Sequence, residues 1–314
     1  MLATLLASIR QQTVAFSDVI VVDDASTDEA PDVARRHGCR VIAFERNSGF
    51  ARAVNAGWRA AETEWVAILN SDVDLNADWL ERLLDEAGEA GFATGTLVDA
   101  ADHSRIDGTY DLVSRAGCAW RAGRGEPASR SGDRNRRIAV APATACLIRR
   151  EVLAELDGFD ESFESYLEDV DLGLRCVRAG VEGVYVPSAV ARHRGSASFG
   201  RWSARATRAI ARNQVLLVAR HFDRELLWSF WWPVVVGQVL WGLVALRHGR
   251  GGAWLAGKIE GLRGFRLTGQ PSARLRSFLL ASESELRERA TTDLYWRWYF
   301  RLAGSRRNEI SAAH

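Results

Sequence analysis

Short apolar runs alternate with amphipathic stretches over the first two thirds of the chain. Val19-Ile20-Val21-Val22 is a continuous apolar run that ends in Asp23-Asp24, as a buried parallel strand would. Residues 26–29 (STDE) carry side chains suited to capping free amides and predict a helix start. A second strand is expected over 41–44, a helix over 51–61, and a third strand over 64–69 that runs straight into Asn70-Ser71-Asp72. Asn76 or Asp78 is placed to cap a helix over 79–87. Residues 123–137, rich in Gly, Ser, Pro and Arg and without periodicity, read as a mobile loop inside the domain. Beyond it come a strand over 139–148, a short helix over 150–156, a helix over 169–179 closed by Gly180, and a strand at 184–186 stopped by Pro187. This alternation predicts an α/β fold: a doubly wound, mostly parallel sheet with helices on both faces and ligands at the carboxyl ends of its strands. Residues 1–222 are assigned to that domain and 223–314 to a helical C-terminal region.

The C-terminal region adds a different signal. Residues 226–246, LLWSFWWPVVVGQVLWGLVAL, are about 21 positions without a formal charge, near the length that crosses a hydrocarbon core. Arg220, His221 and Arg224 precede the segment; Arg247, His248 and Arg250 follow it, and four tryptophans lie within it. Ser229, Pro233 and Gln238, with basic residues on both flanks, leave three readings open: a monotopic or re-entrant membrane helix pair, a true span, or a buried soluble helix. Membrane contact is expected. The 41 basic and 40 acidic residues nearly cancel, so no global field recruits nucleic acid. Four scattered cysteines without ligand-like spacing fit a reducing compartment, and the N-terminus is an amphipathic helix rather than a signal peptide. A cytoplasmic location, at the inner membrane, is expected.

Two constellations carry candidate chemistry. Asn70, Asp72 and Asp74 follow directly on an apolar strand, where alternate carboxylates hold a hard cation such as Mg²⁺ or Mn²⁺ that grips a diphosphate. A solvated turn before a helix fits the same spacing equally well. An EF-hand does not fit, because Leu75 sits where the loop demands glycine. The second constellation is YLEDVDLGLR, residues 166–175, with three carboxylates in four residues at a helix start. They raise one another's pKa, and one of them is suited to take a proton; capping of the helix is the alternative.

VVDDASTDEA, RNSGFARAVNAGWRAA, EWVAILNSDVDLNADWL, ATACLIRREVLAELDGFDESFESYLEDVDLGLRCVRAG and ARHRGSAS occur in this order. Together they closely resemble family-2 glycosyltransferases of the GT-A fold, particularly the bacterial rhamnosyltransferase-like branch, over residues 2–222. The resemblance implies an inverting, metal-dependent sugar transferase. Asp24, with Asp23 beside it, matches the carboxylate that contacts the donor base. Arg46, Asn47, Gly49 and Arg52 match the segment that binds donor ribose or diphosphate, while Asn55 fits helix packing equally well. Asn70-Ser71-Asp72 stands in place of Asp-x-Asp, so Asp72 carries most of the metal role, with Asn70 and Asp74 beside it. His193 matches a position where some relatives offer an imidazole to the metal; a structural role fits it equally. Asp169 matches the general base and Glu168 supports it. Phe159, Phe163 and Tyr166 fit either an acceptor platform or the core.

The implied donor is dTDP-rhamnose or a UDP-sugar, and the implied acceptor a polyprenyl-linked or growing envelope polysaccharide at the inner face of the membrane. Relatives begin with a strand that Met1 of this chain falls beyond, inside the helix that follows it. A start set too far downstream, or a chain truly without that strand, would account for this. The latter supports an alternative: a non-catalytic GT-A-like binding or scaffold protein. A nucleotidyltransferase lacks its glycine-rich N-terminal loop here, and a dehydrogenase its GxGxxG.

Overall fold

The run that ends in Asp23-Asp24 forms β1 (Ile20–Asp23), which α2 (Ala30–Arg36) connects to a parallel partner, β2 (Arg40–Ala43). The computed structural model describes residues 1–132, 134–195 and 202–304. The chain divides into two compact units: Met1–Asp111 with Arg121–Arg201, and Leu112–Trp120 with Trp202–His314.

In the first unit the order continues with α3 (Phe50–Ala60), β3 (Trp65–Leu69), β4 (Val73–Leu75), α4 (Trp79–Ala87), β5 (Phe92–Asp99) and β6 (Ile106–Gly108). A hairpin of β7 (Asp111–Val113) and β8 (Ala119–Arg121) follows, its outer part belonging to the second unit. Then come β9 (Arg136–Ile138), β10 (Ala145–Arg149), α5 (Arg150–Glu155), α6 (Glu168–Ala179) and β11 (Gly183–His193). The loop expected over 123–137 thus ends in a strand, which pairs with β11. The helix expected to open at 26–29 begins at Ala30, with Asp28 accepting its N–H at 3.0 Å.

The larger sheet runs β3-β10-β5-β11-β4, with β6 beside β5 and β9 beside β11. Of these pairs only β5 with β11 is parallel. The sheet is therefore mixed, not mostly parallel. A parallel pair needs a crossover of a dozen or more residues, and the short link between β5 and β6 cannot supply one. Among the described residues β1 pairs with β2 alone and β3 with β10 alone, so β1–β2 stands as a separate sheet.

An N-terminal helix, α1 (Leu2–Arg10), buries Leu5, Leu6 and Ile9 against Val73, Leu75, Trp79, Leu80 and Leu83. Polar side chains fix its register. Ser8 Oγ accepts the Leu75 N–H at 3.1 Å, Gln12 Oε1 accepts the Leu80 N–H at 3.0 Å, and Gln12 Nε2 donates to the Asn76 carbonyl at 2.7 Å. These bonds hold β4 and the start of α4, and so the Asn70–Asp72 turn ahead of them. Neither Asn76 nor Asp78 caps α4 through its side chain; Asp78 pairs with Arg82 instead.

The second unit contains α7 (Ala204–His221), α8 (Arg224–Arg247), α9 (Gly251–Arg263), α10 (Ala273–Arg289) and α11 (Leu294–Leu302). Ser203, Asp223, Ser272 and Asp293 cap α7, α8, α10 and α11 with side-chain oxygens. Contact thus groups α7 with the later helices, so the units part near residue 201 rather than 222. Two glycines supply the reason. A Cβ on Gly257 would lie 2.2 Å from the Arg208 carbonyl and one on Gly261 2.8 Å from Val215, so α9 packs backbone to backbone on α7.

Candidate active site

Strand ends assemble the site in the first unit. The pairing of β4 with β11 sets Val73 opposite His193, and that of β5 with β11 sets Asp99 opposite His193. The register of β10 on β3 sets Ala145 opposite Leu69, so the chain before β10 lies beside Asn70. The carboxyl ends of β3, β5 and β11 therefore share one edge, the place where open α/β sheets bind ligands.

At that edge His193 lies between two carboxylates. Its Nδ1 is 2.7 Å from Asp107 Oδ2 and its Nε2 is 3.5 Å from Asp72 Oδ2; Arg124 approaches the other Asp107 oxygen at 3.5 Å. Burial acts to lower the imidazole pKa, but hydrogen bonds to Asp107 and Asp72 outweigh it and lift the value to about 9. Asp107, although buried, is held below the usual carboxylate range by His193 and Arg124. Asp74 faces the other way: opposite Arg192 in the ladder, it pairs with that guanidinium at 3.2 Å. Since opposed residues share a face, the β pleat puts Asp74 across the sheet from His193. Asn70 stays at the edge, its N–H donated to the Thr144 carbonyl at 2.9 Å.

Thr144 links this end to the second constellation. Its hydroxyl accepts from Arg121 at 3.3 Å, and the preceding residue, Ala143, donates its N–H to Asp169 Oδ2 at 3.2 Å. Arg121 also grips Asp111 with two bonds, 3.1 and 3.2 Å, and stands 3.8 Å from Asp169. Burial, and then the Asp111 charge, push the Asp169 pKa up, while Arg121 and the two backbone N–H groups pull it down; the net shift is upward. Glu168 is buried with Oε2 lacking a hydrogen-bond partner, and burial drives its pKa well up. Asp171 turns away to Arg175 at 2.8 Å, so the expected triple cluster is split three ways.

The approach to Asp169 is strained. Glu164, Tyr166 and Leu167 all have positive φ, between 59° and 73°. Such residues cost about 1–3 kcal/mol each and cluster at functional loops. Gly49 meets the same loop: its φ is 92°, and a Cβ there would lie 2.8 Å from the Glu164 carbonyl oxygen. Its freedom thus serves a close approach of Glu164 backbone. Phe159 and Phe163 are core residues, at 2% and 0% exposure. Asn55 is buried too, bonding both the N–H and the carbonyl of Phe159, which gives it a packing role.

The segments expected to bind the donor meet at the end of β1. Asp24 accepts from the Ser48 N–H at 2.6 Å and the Gly49 N–H at 2.9 Å, while Asn47 donates to the Asp24 carbonyl. Asp23 is buried and caps the turn at Ser26. Arg52 lies over the Phe44 ring at 5.7 Å, and Arg46 is exposed at the loop. Asp23, Asp24, Asn47 and Gly49 are therefore brought together, with Arg46 and Arg52 at the margin. Part of the ARHRGSAS motif, residues 196–198, lies outside the described residues.

Residues 1–157 match the glycosyl transferase family 2 model. The chain belongs to that family. An N-acetylglucosaminyl-diphospho-decaprenol L-rhamnosyltransferase of Mycobacterium tuberculosis is 31% identical over 77% of this chain and 85% of its own. A pre-mycofactocin glycosyltransferase of the same species is 30% identical over 82% of this chain and 52% of its own. Among solved structures, GalNAc-T7, crystallised with UDP, GalNAc and Mn²⁺, superposes with a TM-score of 0.57 at 14% identity, covering 76% of this chain and 48% of that one. The architecture is a GT-A-like α/β fold with a mixed sheet.

Asp107, Asp111, Arg121, Arg124 and Thr144 went unforeseen in this glycosyltransferase. The available signal was RIDGTYDL, where Asp107 and Asp111, four residues apart, alternate with Ile106, Tyr110 and Leu112, with Arg121 and Arg124 shortly after. Charges in a run that ought to be buried demand partners.

Proposed function

We propose that this family-2 glycosyltransferase transfers a sugar, rhamnose or one similar, from a dTDP- or UDP-linked donor with inversion in a single displacement. Asp169 takes the proton of the acceptor hydroxyl as that oxygen attacks the anomeric carbon. The carrying observation is Asp169 at the sheet edge, with a raised pKa, an Ala143 N–H on one oxygen and Arg121 within 3.8 Å. Arg121 steadies the carboxylate, and its two bonds to Asp111 keep it from closing a full ion pair with the base.

Among the described residues no three His, Cys, Asp or Glu side chains form a metal cluster. Asp72 and His193, whose side chains stand 3.5 Å apart, with Asn70 two residues before Asp72 at the same strand end, would hold a Mg²⁺ or Mn²⁺ ion, to which a diphosphate and water would add ligands. Asp107 on the far ring nitrogen is the carboxylate buttress that a ligating histidine usually has. Asp74 is excluded from this set by its pairing with Arg192. Such an ion supplies charge neutralisation at the leaving nucleoside diphosphate. Asp23, Asp24, Asn47 and Gly49, with Arg46 and Arg52, form the donor side.

The acceptor is read as a polyprenyl-diphosphate-linked glycan, by analogy with the mycobacterial relative, at the cytoplasmic face of the inner membrane in envelope glycan synthesis. A donor screen with a lipid-linked N-acetylglucosamine acceptor, with and without Mn²⁺, tests the reading. Asp169→Asn is expected to lower transfer by about 10²–10⁴-fold while donor binding by calorimetry persists. Wild-type rates from that variant would refute the base assignment.

A further inference from the structure

The helix α8 has two unlike sides. Gly237 faces inward, where a Cβ would lie 2.4 Å from Ala116, and its carbonyl accepts from the Tyr295 hydroxyl at 3.0 Å. Gln238 donates to the Ala116 carbonyl at 3.0 Å and accepts from Lys258, which also donates to Gln214 at 2.9 Å. The opposite side carries Trp228, Trp232, Val235, Val239, Leu243 and Leu246, a stripe at helical spacing that is open to solvent, Trp228 at 82%. Only 28% of the helix's most apolar window is buried, too little for a core helix.

The stripe extends onto both neighbours. In α9, Trp254 packs on Gly242 of α8, and the exposed Leu255, Ile259 and Leu262 occupy the flank beside it at 100° per residue. In α11, Leu294, Trp298 and Leu302 form another exposed row, and Trp232 Nε1 donates to the Leu302 carbonyl at 3.0 Å. Arginines rim this apolar area: Arg247 and Arg250 after α8, Arg263 at the end of α9, and Arg297 and Arg301 beside the α11 row. Over residues 202–304 there are 16 Lys and Arg against seven Asp and Glu. Of those acids, Glu225 pairs with Arg276, and Glu260 with Arg208 and Arg212. An apolar face rimmed by arginine and tryptophan is complementary to an anionic lipid leaflet.

We infer that α8, α9 and α11 form a monotopic seat, with α8 lying in the plane of an anionic membrane surface rather than crossing it. A crossing α8 would carry its inward partners with it. Lys258, and Arg115 with its partner Glu283 at 2.7 Å beside Ala116, would enter hydrocarbon, where charged side chains are strongly disfavoured. In the plane, those groups stay in water-facing protein and only the naked stripe enters the leaflet. The seat extends the membrane association proposed above, yet it needs neither donor, metal nor base, so vesicle binding and sugar transfer can fail separately.

Flotation of the full chain with phosphatidylcholine vesicles, with and without phosphatidylglycerol, tests the seat. Wild type is expected to float with the anionic vesicles and far less with the neutral ones. Val239→Asp with Leu243→Asp changes only exposed positions, so the melting transition should persist while vesicle partitioning falls by tenfold or more. Arg247→Gln with Arg263→Gln is expected to remove about tenfold of the anionic preference. Wild type that ignores both vesicles overturns the inference, as does a vesicle-independent dimer, read by light scattering, that the Val239→Asp/Leu243→Asp pair dissolves. Topology is read with Arg224→Cys and Arg247→Cys in a Cys39→Ser background. Both should react with an impermeant maleimide in inverted membrane vesicles; one protected end would show a span and overturn it.

Discussion

Two carboxylates stand at the same sheet edge with different company. Asp72 faces His193, a partner that can shed its charge; Asp169 faces Arg121, one that cannot. Asp107 holds the imidazole from behind, whereas Asp111 draws the guanidinium away from Asp169. The difference matches the two proposed tasks. A carboxylate that binds a cation needs a neighbour able to give up its proton to make room. A carboxylate that takes a proton needs a constant field and an incomplete ion pair, which holds it in place without quenching its basicity.

The harshest way to break this contrast is to remove the proposed metal-binding carboxylate. Asp72→Ala is expected to lower transfer by about 10²-fold or more and to abolish Mn²⁺ binding followed by electron paramagnetic resonance. Asp107→Asn keeps both proposed ligands but releases the imidazole, and Mn²⁺ affinity should weaken by about 10–100-fold with the fold intact. On the base side, Arg121→Gln strands Asp111 and Asp169 in a buried place and should cost about 3–5 kcal/mol in urea unfolding. The same change removes a charge that lowers the Asp169 pKa, so the acidic limb of the pH–rate profile should move to higher pH.

The smallest effect sharpens the comparison through pH. His193 is lifted from 6.5 to about 9, so its ion pairs stabilise the metal-free protein fully below the unfolded value and are lost as pH rises through the folded one. Melting temperature should therefore drop by a few degrees between about pH 6.5 and 9.5, and His193→Gln should flatten that decline. An equal decline in the variant would assign it to other groups.

Much of the element order was legible from local pattern. Strands β1, β2 and β3, helices α3, α4, α5 and α6, and the apolar segment that became α8 fall within a few residues of their expected bounds. Asn70 and Asp72 stood out because they follow directly on an apolar strand, and Glu168, Asp169 and Asp171 because they cluster at a helix start; the choice of Asp169 among those three, and of His193, came from the family resemblance. The strand after Asp72 was not legible, since a three-residue strand carries too little periodicity to separate it from a turn. Nor was β5, and that omission hid the edge where His193 and Asp107 meet.

Local spacing thus determined where carboxylates would end strands and open helices, and which helix would be apolar all round, because capping and periodicity act over a few residues. Tertiary structure decided the rest. It turned Asp74 away to Arg192, buried Glu168, gave Asp169 its Asp111–Arg121 partner and left one side of α8 bare. Partner choice depends on strand register and on which faces find cover, and both arise from contacts between segments far apart in the chain.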